Sequence, residues 1–310
     1  MNRQKKQQLS CTYSKKRRTL QTMEQCNTPH IAIVIVLYNP NKSDIDNILL
    51  FSNNYDGIIV DNSDSPSMKA PQVGKMRYIH LGGNKGIAGA HNQALELIYK
   101  EGSAQFVILL DQDSRLSEDY PHKIVNEYIL IKKQFPQLAI LGPTIIEKDS
   151  GEEYHSAIHH DHHLSTNFIL KKDIIASGCC FDITSFTTIG KFDSSLFIDF
   201  VDTEWCYRAQ SMGYICGITP NIQLQHKVGQ SEIHIGKHIV SISAPSRYYH
   251  QYRNFILLSA RSYVPVSFKI NFGIKFFLRL LYFPFFVKQG GACWINMIKG
   301  ICAGIKTLFK

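Results

Sequence analysis

The chain has 310 residues, is 44% hydrophobic and 19% charged, and carries a formal net charge of +9. Those proportions fit a globular protein of one sizeable domain with appendages. The charge is uneven, about +6 over residues 1–29, +11 over 233–310 and −8 between them. This pattern argues against a nucleic-acid-binding domain and directs the basic ends toward anionic lipid.

Residues 1–29 include Lys5, Lys6 and the run Lys15 to Arg18 but no apolar core. They therefore read as a polar, disordered leader and not as a signal peptide. Ile31 to Leu37 is a β-rich apolar run ending at Tyr38-Asn39-Pro40, which predicts a buried strand and a turn. Asp44 to Phe51 predicts a short helix with Ser43 as N-cap. Gly57 to Asp61 is a second strand, closed by the turn-former Asn62-Ser63-Asp64-Ser65-Pro66. Arg77 to His80 is a third, leading through Gly82-Gly83-Asn84-Lys85-Gly86 into a helix with Ile87, Ala90, Ala94 and Leu97 on one face.

Phe106 to Leu110 is the fourth strand, Ser117 to Lys133 a helix, and Leu138 to Leu141 a fifth strand. Strands alternating with helices imply an α/β fold with a mainly parallel sheet flanked by helices. Beyond residue 150 the pattern shortens to β-like runs such as Ile174 to Asp182. In the last segment, Phe268 to Lys310, aromatic residues are interleaved with Lys275, Arg279 and Lys288. No charge-free run there reaches the ~20 residues of a membrane span, and Pro284 interrupts the best candidate. Basic residues among dense aromatics fit amphipathic helices lying in a bilayer interface, a packed helix pair being the alternative. The eight cysteines form no Cys-x-x-Cys pair and no framework spacing, so reduced thiols and a cytoplasmic setting are expected.

The strongest chemical signal is the strand end Leu110-Asp111-Gln112-Asp113-Ser114. Ligands of open α/β sheets bind beyond the carboxyl ends of the strands. Carboxylates one residue apart on extended backbone can share a divalent cation, whose shell is usually completed by substrate phosphates. Asp61 ends a strand on the same edge and could accept from a ribose hydroxyl or a base N–H. The glycine-rich turn at 82–86 opens a helix, where a phosphate is favoured, but matches neither a dinucleotide nor a P-loop fingerprint. Asp199, Asp202, Glu204, Trp205 and Arg208 fall within ten residues. Asp202 or Glu204 could act as general base and Arg208 could orient a carboxylate, although acids also suit a helix start. His226 is a possible metal ligand or a structural histidine. His155, His159, His160, His162 and His163 read as a solvated loop, and Cys179 and Cys180 as buried strand residues.

Taken in order, eight segments carry a resemblance. They include Ile35 to Pro40, Ile59 to Ser63, Leu81 to Asn92, Leu110 to Ser114 and Ser177-Gly178. Phe197 to Trp205, His226 to Ser231 and Arg247 to Asn254 complete the series. The chain from about residue 30 to 260 resembles the family 2 inverting glycosyltransferases, most closely bacterial rhamnosyltransferases of polysaccharide assembly. That resemblance implies a GT-A fold, with residues 30–145 binding a nucleotide-sugar and 146–260 serving acceptor and catalysis. Residues 261–310 would then form the membrane-interface helices.

The resemblance further implies that Asp113 and His226 hold Mg²⁺ or Mn²⁺ on the diphosphate, that Asp61 meets the nucleoside and that Asp111 lies near ribose and sugar. Tyr38, Asn39, Asn84, Gly86, Asn92 and Arg253 would be further donor contacts, and Trp205 and Arg208 would lie on the acceptor side. Asp202 takes the place of the catalytic base; because Val201 precedes it where the family often has Glu, Glu204 and Asp199 remain rivals. The forms around Asp113 and Trp205 tilt the donor toward dTDP-L-rhamnose, and the motif series with the basic aromatic tail points to a lipid-linked glycan as acceptor. The setting implied is peripheral, on the cytoplasmic face of a bacterial inner membrane. Two rivals stand: a nucleotidyltransferase, disfavoured because the first strand ends at Tyr38-Asn39 without a triphosphate signature, and a non-catalytic sugar- or lipid-binding protein.

Overall fold

Seven consecutive apolar residues, all buried, make β1 (Ile31–Leu37) an interior strand of the sheet. A strand covered on both faces has no need of polar alternation. In this computed structural model, residues 29–147, 162–226, 231–235 and 238–309 are described. Residues 1–28 and His155, His159 and His160 lie outside the described residues. His162 and His163 are exposed on a short strand.

The remaining strands of the large sheet are β2 (Asp56–Asp61), β3 (Gln72–Val73), β4 (Met76–His80), β5 (Phe106–Asp111), β6 (Leu138–Glu147), β7 (His162–Ser165), β8 (Phe168–Lys171), β9 (Cys180–Asp182) and β10 (Ile215–His226). They lie in the order β3-β4-β2-β1-β5-β9-β6-β10-β8-β7. β4, β2, β1 and β5 are mutually parallel, as are β6 and β10, whereas β9 runs antiparallel between the two groups. Register sets Leu37 beside Asp61, Asp61 beside His80, and Val36 beside Asp111, so the polar strand ends share one edge. β11 (Ser231–Ile235) and β12 (His238–Ile242) form a separate hairpin.

Eight helices accompany the sheet among the described residues: α1 (Lys42–Ser52), α2 (Gly86–Glu101), α3 (Tyr120–Gln134), α4 (Ile183–Ile189), α5 (Val201–Ser211), α6 (Pro245–Ser259), α7 (Val266–Phe286) and α8 (Gly290–Leu308). The segment after residue 260 belongs to the same compact unit as the sheet. Fully burying an aliphatic side chain contributes roughly 1.5–3 kcal/mol. The core accordingly runs from β1, β2 and β5 through Ile124, Val125 and Tyr128 of α3 to Trp205 and Tyr207 of α5.

Three local expectations need correction. The cap of α1 is Asn41 and not Ser43: the Asn41 side chain accepts from the Asp44 N–H at 3.0 Å and the Asp44 carboxylate accepts from the Asn41 N–H at 3.1 Å. That reciprocal box satisfies two helix-end donors. β6 runs on through Gly142-Pro143 to Glu147, because the shift in pairing between Thr219 and Gln223 of β10 accommodates a residue without an N–H. Of Ile174 to Asp182, only the last three residues are strand. Gly178, at φ +81° in the left-handed region, turns the chain before them.

Candidate active site

Two adjoining cavities open along the strand-end edge. The first, about 290 Å³, is bounded by Tyr38, Asn62, Asn84, Gly86, Asp113 and Phe197 among others. The second, about 460 Å³, is bounded by His91, Phe192, Asp199, Asp202 and Arg247 among others. Asp111, Ile87 and Ile198 line both. Asp111, the last residue of β5, therefore stands on the partition, while the exposed Asp113 faces only the first.

The floor of the first cavity is built from short polar turns. Asn39 adopts φ +47°, a conformation asparagine tolerates, and its N–H donates to Ser63 Oγ at 2.8 Å. The Tyr38 N–H donates to Gln112 Oε1 at 2.7 Å, tying the end of β1 to the acidic turn. Asn62 donates to Asn84 Oδ1 at 3.0 Å and accepts from the Lys85 N–H at 2.6 Å. Asn84 Oδ1 also accepts from the Gly86 N–H, and the Ile87 N–H donates to the Phe197 carbonyl at 2.8 Å. The N–H groups of Lys85, Gly86 and Ile87 at the start of α2 thus have acceptors within the protein. Gly86 itself is required twice over. Its φ is +75°, and a Cβ would lie 2.4 Å from the Phe197 carbonyl oxygen.

Asp61 is fully buried. Its carboxylate accepts from the N–H groups of Ser63 at 3.0 Å and Ser67 at 2.6 Å, and from the Tyr78 hydroxyl at 2.5 Å. Burial alone would raise its pKa, but these donors outweigh it and hold the group below the ordinary value. Asp61 organises the turn under the first cavity and is not among its lining residues.

Asp202 opens α5 against the second cavity. Its Oδ1 accepts from the Thr203 N–H at 2.9 Å and its Oδ2 from the Ala176 N–H at 3.3 Å. Burial, reinforced by the neighbouring Asp173, raises its pKa to about 6 against those two bonds. A carboxylate lifted toward neutrality is a fitting general base. The turn presenting it is strained, because Phe197, Asp199 and Phe200 all have φ between +63° and +66°. What holds that turn is Asn254 of α6, buried, whose amide donates to the carbonyls of Leu196, Ile198 and Asp199 at 2.8–3.0 Å. Phe200 adds its ring, packed edge-on against Phe268 and Phe272 of α7.

Several expected contacts point elsewhere. Glu204 is 1% exposed. It is gripped by Arg208 at 2.8 and 3.0 Å, by the Tyr263 hydroxyl at 2.6 Å and by Arg261 at 3.1 Å, so it is an anchored structural carboxylate and not a base. Arg208 also donates to the carbonyls of Ile189 and Lys191, and the buried Trp205 donates to Gly190 O at 2.8 Å. Neither is among the residues lining the second cavity. Asn92 pairs both ways with the Phe192 backbone, at 2.8 and 2.9 Å, and Arg253 donates to the carbonyls of Ser195 and Leu196. Both position the 192–196 segment and do not meet a donor. The backbone of His226 ends β10, and its side chain lies outside the described residues. Cys179 and Cys180 are buried, and burial pushes both thiols well up, away from nucleophilic use.

Two titratable lining residues were missed. Arg247 of α6 chelates Asp199, its Nε lying 3.0 and 3.1 Å from the two carboxylate oxygens. Burial opposes its charge, but Asp199 foremost, then Asp111 and Asp202, keep the guanidinium firmly protonated. His91 is buried with its Nε2 lacking any partner, and burial lowers its pKa to about 4, so the ring is neutral. Arg247 opens the final sequence motif and His91 precedes Asn92 in an earlier one, so position in a motif was the available signal.

Among the described residues, no group of three His, Cys, Asp or Glu side chains could hold a metal. The pair Asp111 and Asp113 nevertheless offers hard oxygen ligands along one cavity, the donor type of a cation that completes its shell on phosphate.

The family model described as Glycosyl transferase family 2 matches residues 32–192. The chain is 30% identical over 258 residues to the dTDP-rhamnosyl transferase RfbF of Shigella flexneri, covering 78% of this chain and 84% of that protein. It is 24% identical over 214 residues to the low-salt glycan biosynthesis hexosyltransferase Agl10 of Haloferax volcanii, covering 64% and 66%. Among solved structures, S. aureus TarS 1-349 in complex with UDP-GlcNAc aligns with a TM-score of 0.52 at 12% identity, over 87% of this chain and 81% of that one. GalNAc-T7 with UDP, GalNAc and Mn2+ aligns with a TM-score of 0.50 at 12% identity, over 80% and 55%.

Proposed function

Because this chain belongs to glycosyl transferase family 2 and has the GT-A fold, we propose that it moves L-rhamnose, or a related deoxysugar, from a dTDP-sugar to a hydroxyl of a lipid-linked glycan. The observation that carries the reading is the placement of Asp111 between two cavities, with Asp113 on one side and Asp202 on the other. The first cavity takes the nucleoside diphosphate, with Tyr38, Asn62, Asn84 and Gly86 in its wall and Asn39 and Asp61 setting the turns beneath. The second takes the sugar and the incoming hydroxyl. Its apolar lining of Ile87, Phe192, Ile198 and Val201 suits a sugar with a methyl edge.

Asp202 accepts the proton of the acceptor hydroxyl as that oxygen bonds to the anomeric carbon. The bond from that carbon to the diphosphate oxygen breaks in the same displacement, inverting the centre. One base and no covalent nucleophile suffice. Mg²⁺ or Mn²⁺ held by Asp111 and Asp113, with His226 as a further ligand, would neutralise charge developing on the leaving diphosphate. Arg247 supplies a fixed cation near Asp111 and Asp202. The relative named for dTDP-rhamnosyl transfer supports the donor. The basic aromatic C-terminal segment supports a lipid-linked acceptor and a place on the cytoplasmic face of a bacterial inner membrane.

The test is a donor screen. Purified protein with Mg²⁺ or Mn²⁺ is given dTDP-L-rhamnose and other nucleotide-sugars, and nucleotide release and binding are measured. Release favouring dTDP-L-rhamnose is expected. Preference for a different donor refutes the sugar assignment, and neither release nor binding with any donor refutes the reading altogether.

A further inference from the structure

We propose that the outward face of α7 and α8 seats on an anionic lipid bilayer, with both helices lying in the interfacial plane. This deepens the membrane-side placement proposed above by naming the surface that makes the contact. One face of α7 is already occupied: Phe268, Phe276 and Phe283 are buried, and the ring of Phe276 stacks on Tyr252 of α6 at 4.4 Å. The opposite face should then be polar in a helix that merely completes a core. Instead Val266, Ile270, Ile274, Phe277, Leu281 and Phe285 are 54–80% exposed. Their spacing of three and four residues keeps them on one stripe, about 30 Å long at 1.5 Å per residue.

α8 continues the surface. Its inner side is reduced to glycine where it crosses α6, since a Cβ on Gly300 would lie 2.4 Å from the Tyr249 carbonyl oxygen. Its outer side exposes Trp294, Ile295, Ile305 and Phe309.

Charge identifies the occupant. Residues 233–310 contain eleven Lys or Arg and no Asp or Glu, and Lys275, Lys288, Lys299 and Lys306 are exposed along these two helices. A second copy would bring the same unrelieved positive charge against itself, whereas anionic lipid complements it. No described helix is long and apolar enough to cross a membrane, which leaves the in-plane arrangement of a basic amphipathic surface.

The test uses the full chain with phosphatidylcholine vesicles, with and without phosphatidylglycerol, in co-sedimentation. Trp294 fluorescence serves as a second readout, since the other tryptophan, Trp205, is buried. Binding to anionic vesicles with a blue shift is expected, falling as salt rises, with each nearby lysine contributing about five-fold to partition. The triple variant Phe277→Ser, Leu281→Ser, Phe285→Ser alters only exposed positions. It should lose at least about ten-fold in partition while releasing nucleotide from donor at the wild-type rate in vesicle-free buffer. Equal binding by the variant, no binding by wild type, or self-association abolished by the same substitutions would overturn the proposal. Vesicle binding without donor turnover, or the reverse, separates failure of this surface from failure of the catalytic reading.

Discussion

Asp202→Asn should make the protein more stable above pH 7 while removing its turnover. The Asp202 carboxyl rises from an ordinary 3.8 to about 6 on folding, because burial outweighs its two backbone bonds. The folded state therefore holds this proton more tightly than the unfolded chain does. The group costs little below pH 4, its cost grows as pH climbs from about 4 to 6, and it is constant above. Two pKa units correspond to about 3 kcal/mol at pH 8, and to less than about 1 kcal/mol at pH 4. Asparagine removes that cost but keeps only one acceptor for the Thr203 and Ala176 N–H groups, a loss of about 1 kcal/mol. The net gain is about 2 kcal/mol at pH 8, or roughly 4 °C in Tm for a chain of this size, and it vanishes or reverses at pH 4. Thermal unfolding of both proteins across this pH range measures it. Turnover should fall by at least about 100-fold, and wild-type turnover should rise through pH 6 to a plateau. A Tm difference that ignores pH, or retained turnover, would refute the argument.

Asp113→Ala should abolish the cation-dependent part of nucleotide binding, measured by calorimetry with and without a chelator, while leaving the unfolding free energy within about 1 kcal/mol of wild type because the residue is exposed. Arg208→Ala should cost about 1–3 kcal/mol in denaturant unfolding, because the buried Glu204 loses its two-pronged partner while Arg261 and the Tyr263 hydroxyl stay on it; a normal midpoint would mean Glu204 is not an anchor. Gly86→Ala should cost more than about 1 kcal/mol and slow turnover, since the new Cβ meets the Phe197 carbonyl. His91→Phe should leave nucleotide binding intact and weaken discrimination among donor sugars in competition assays, the orphaned Nε2 being lost from the second cavity.

The parallel half of the sheet was legible because β1, β2 and β5 are short, uninterrupted apolar runs, and buried parallel strands are made of such runs. Asp111 and Asp113 were legible because their strand ends at them. Which of Asp202 and Glu204 faces the cavity was not read, although the spacing contains the answer. Residues two apart on a helix point about 200° away from each other, so only one could line the site. Arg208, Asn92 and Arg253 were polar residues in motifs, and the sequence could not distinguish a ligand contact from a bond to the protein's own backbone. All three serve the 189–196 segment. Arg247 escaped because its meeting with Asp199, 48 residues away, depends on how α6 crosses the sheet edge.

Phe200 gives these observations a consequence for transplantation. The residue that caps α5 has its ring wedged among phenylalanines of α7. Chimaeras that trade C-terminal helices between relatives must therefore exchange position 200 along with them. A protein cut after residue 260 would lose the wall against which the turn before Asp202 is set, so truncation would confound anchoring with any effect on that turn. Among divergent relatives, the residue at position 200 should change in step with those at 268 and 272, an inheritance that can be read without handling the protein at all.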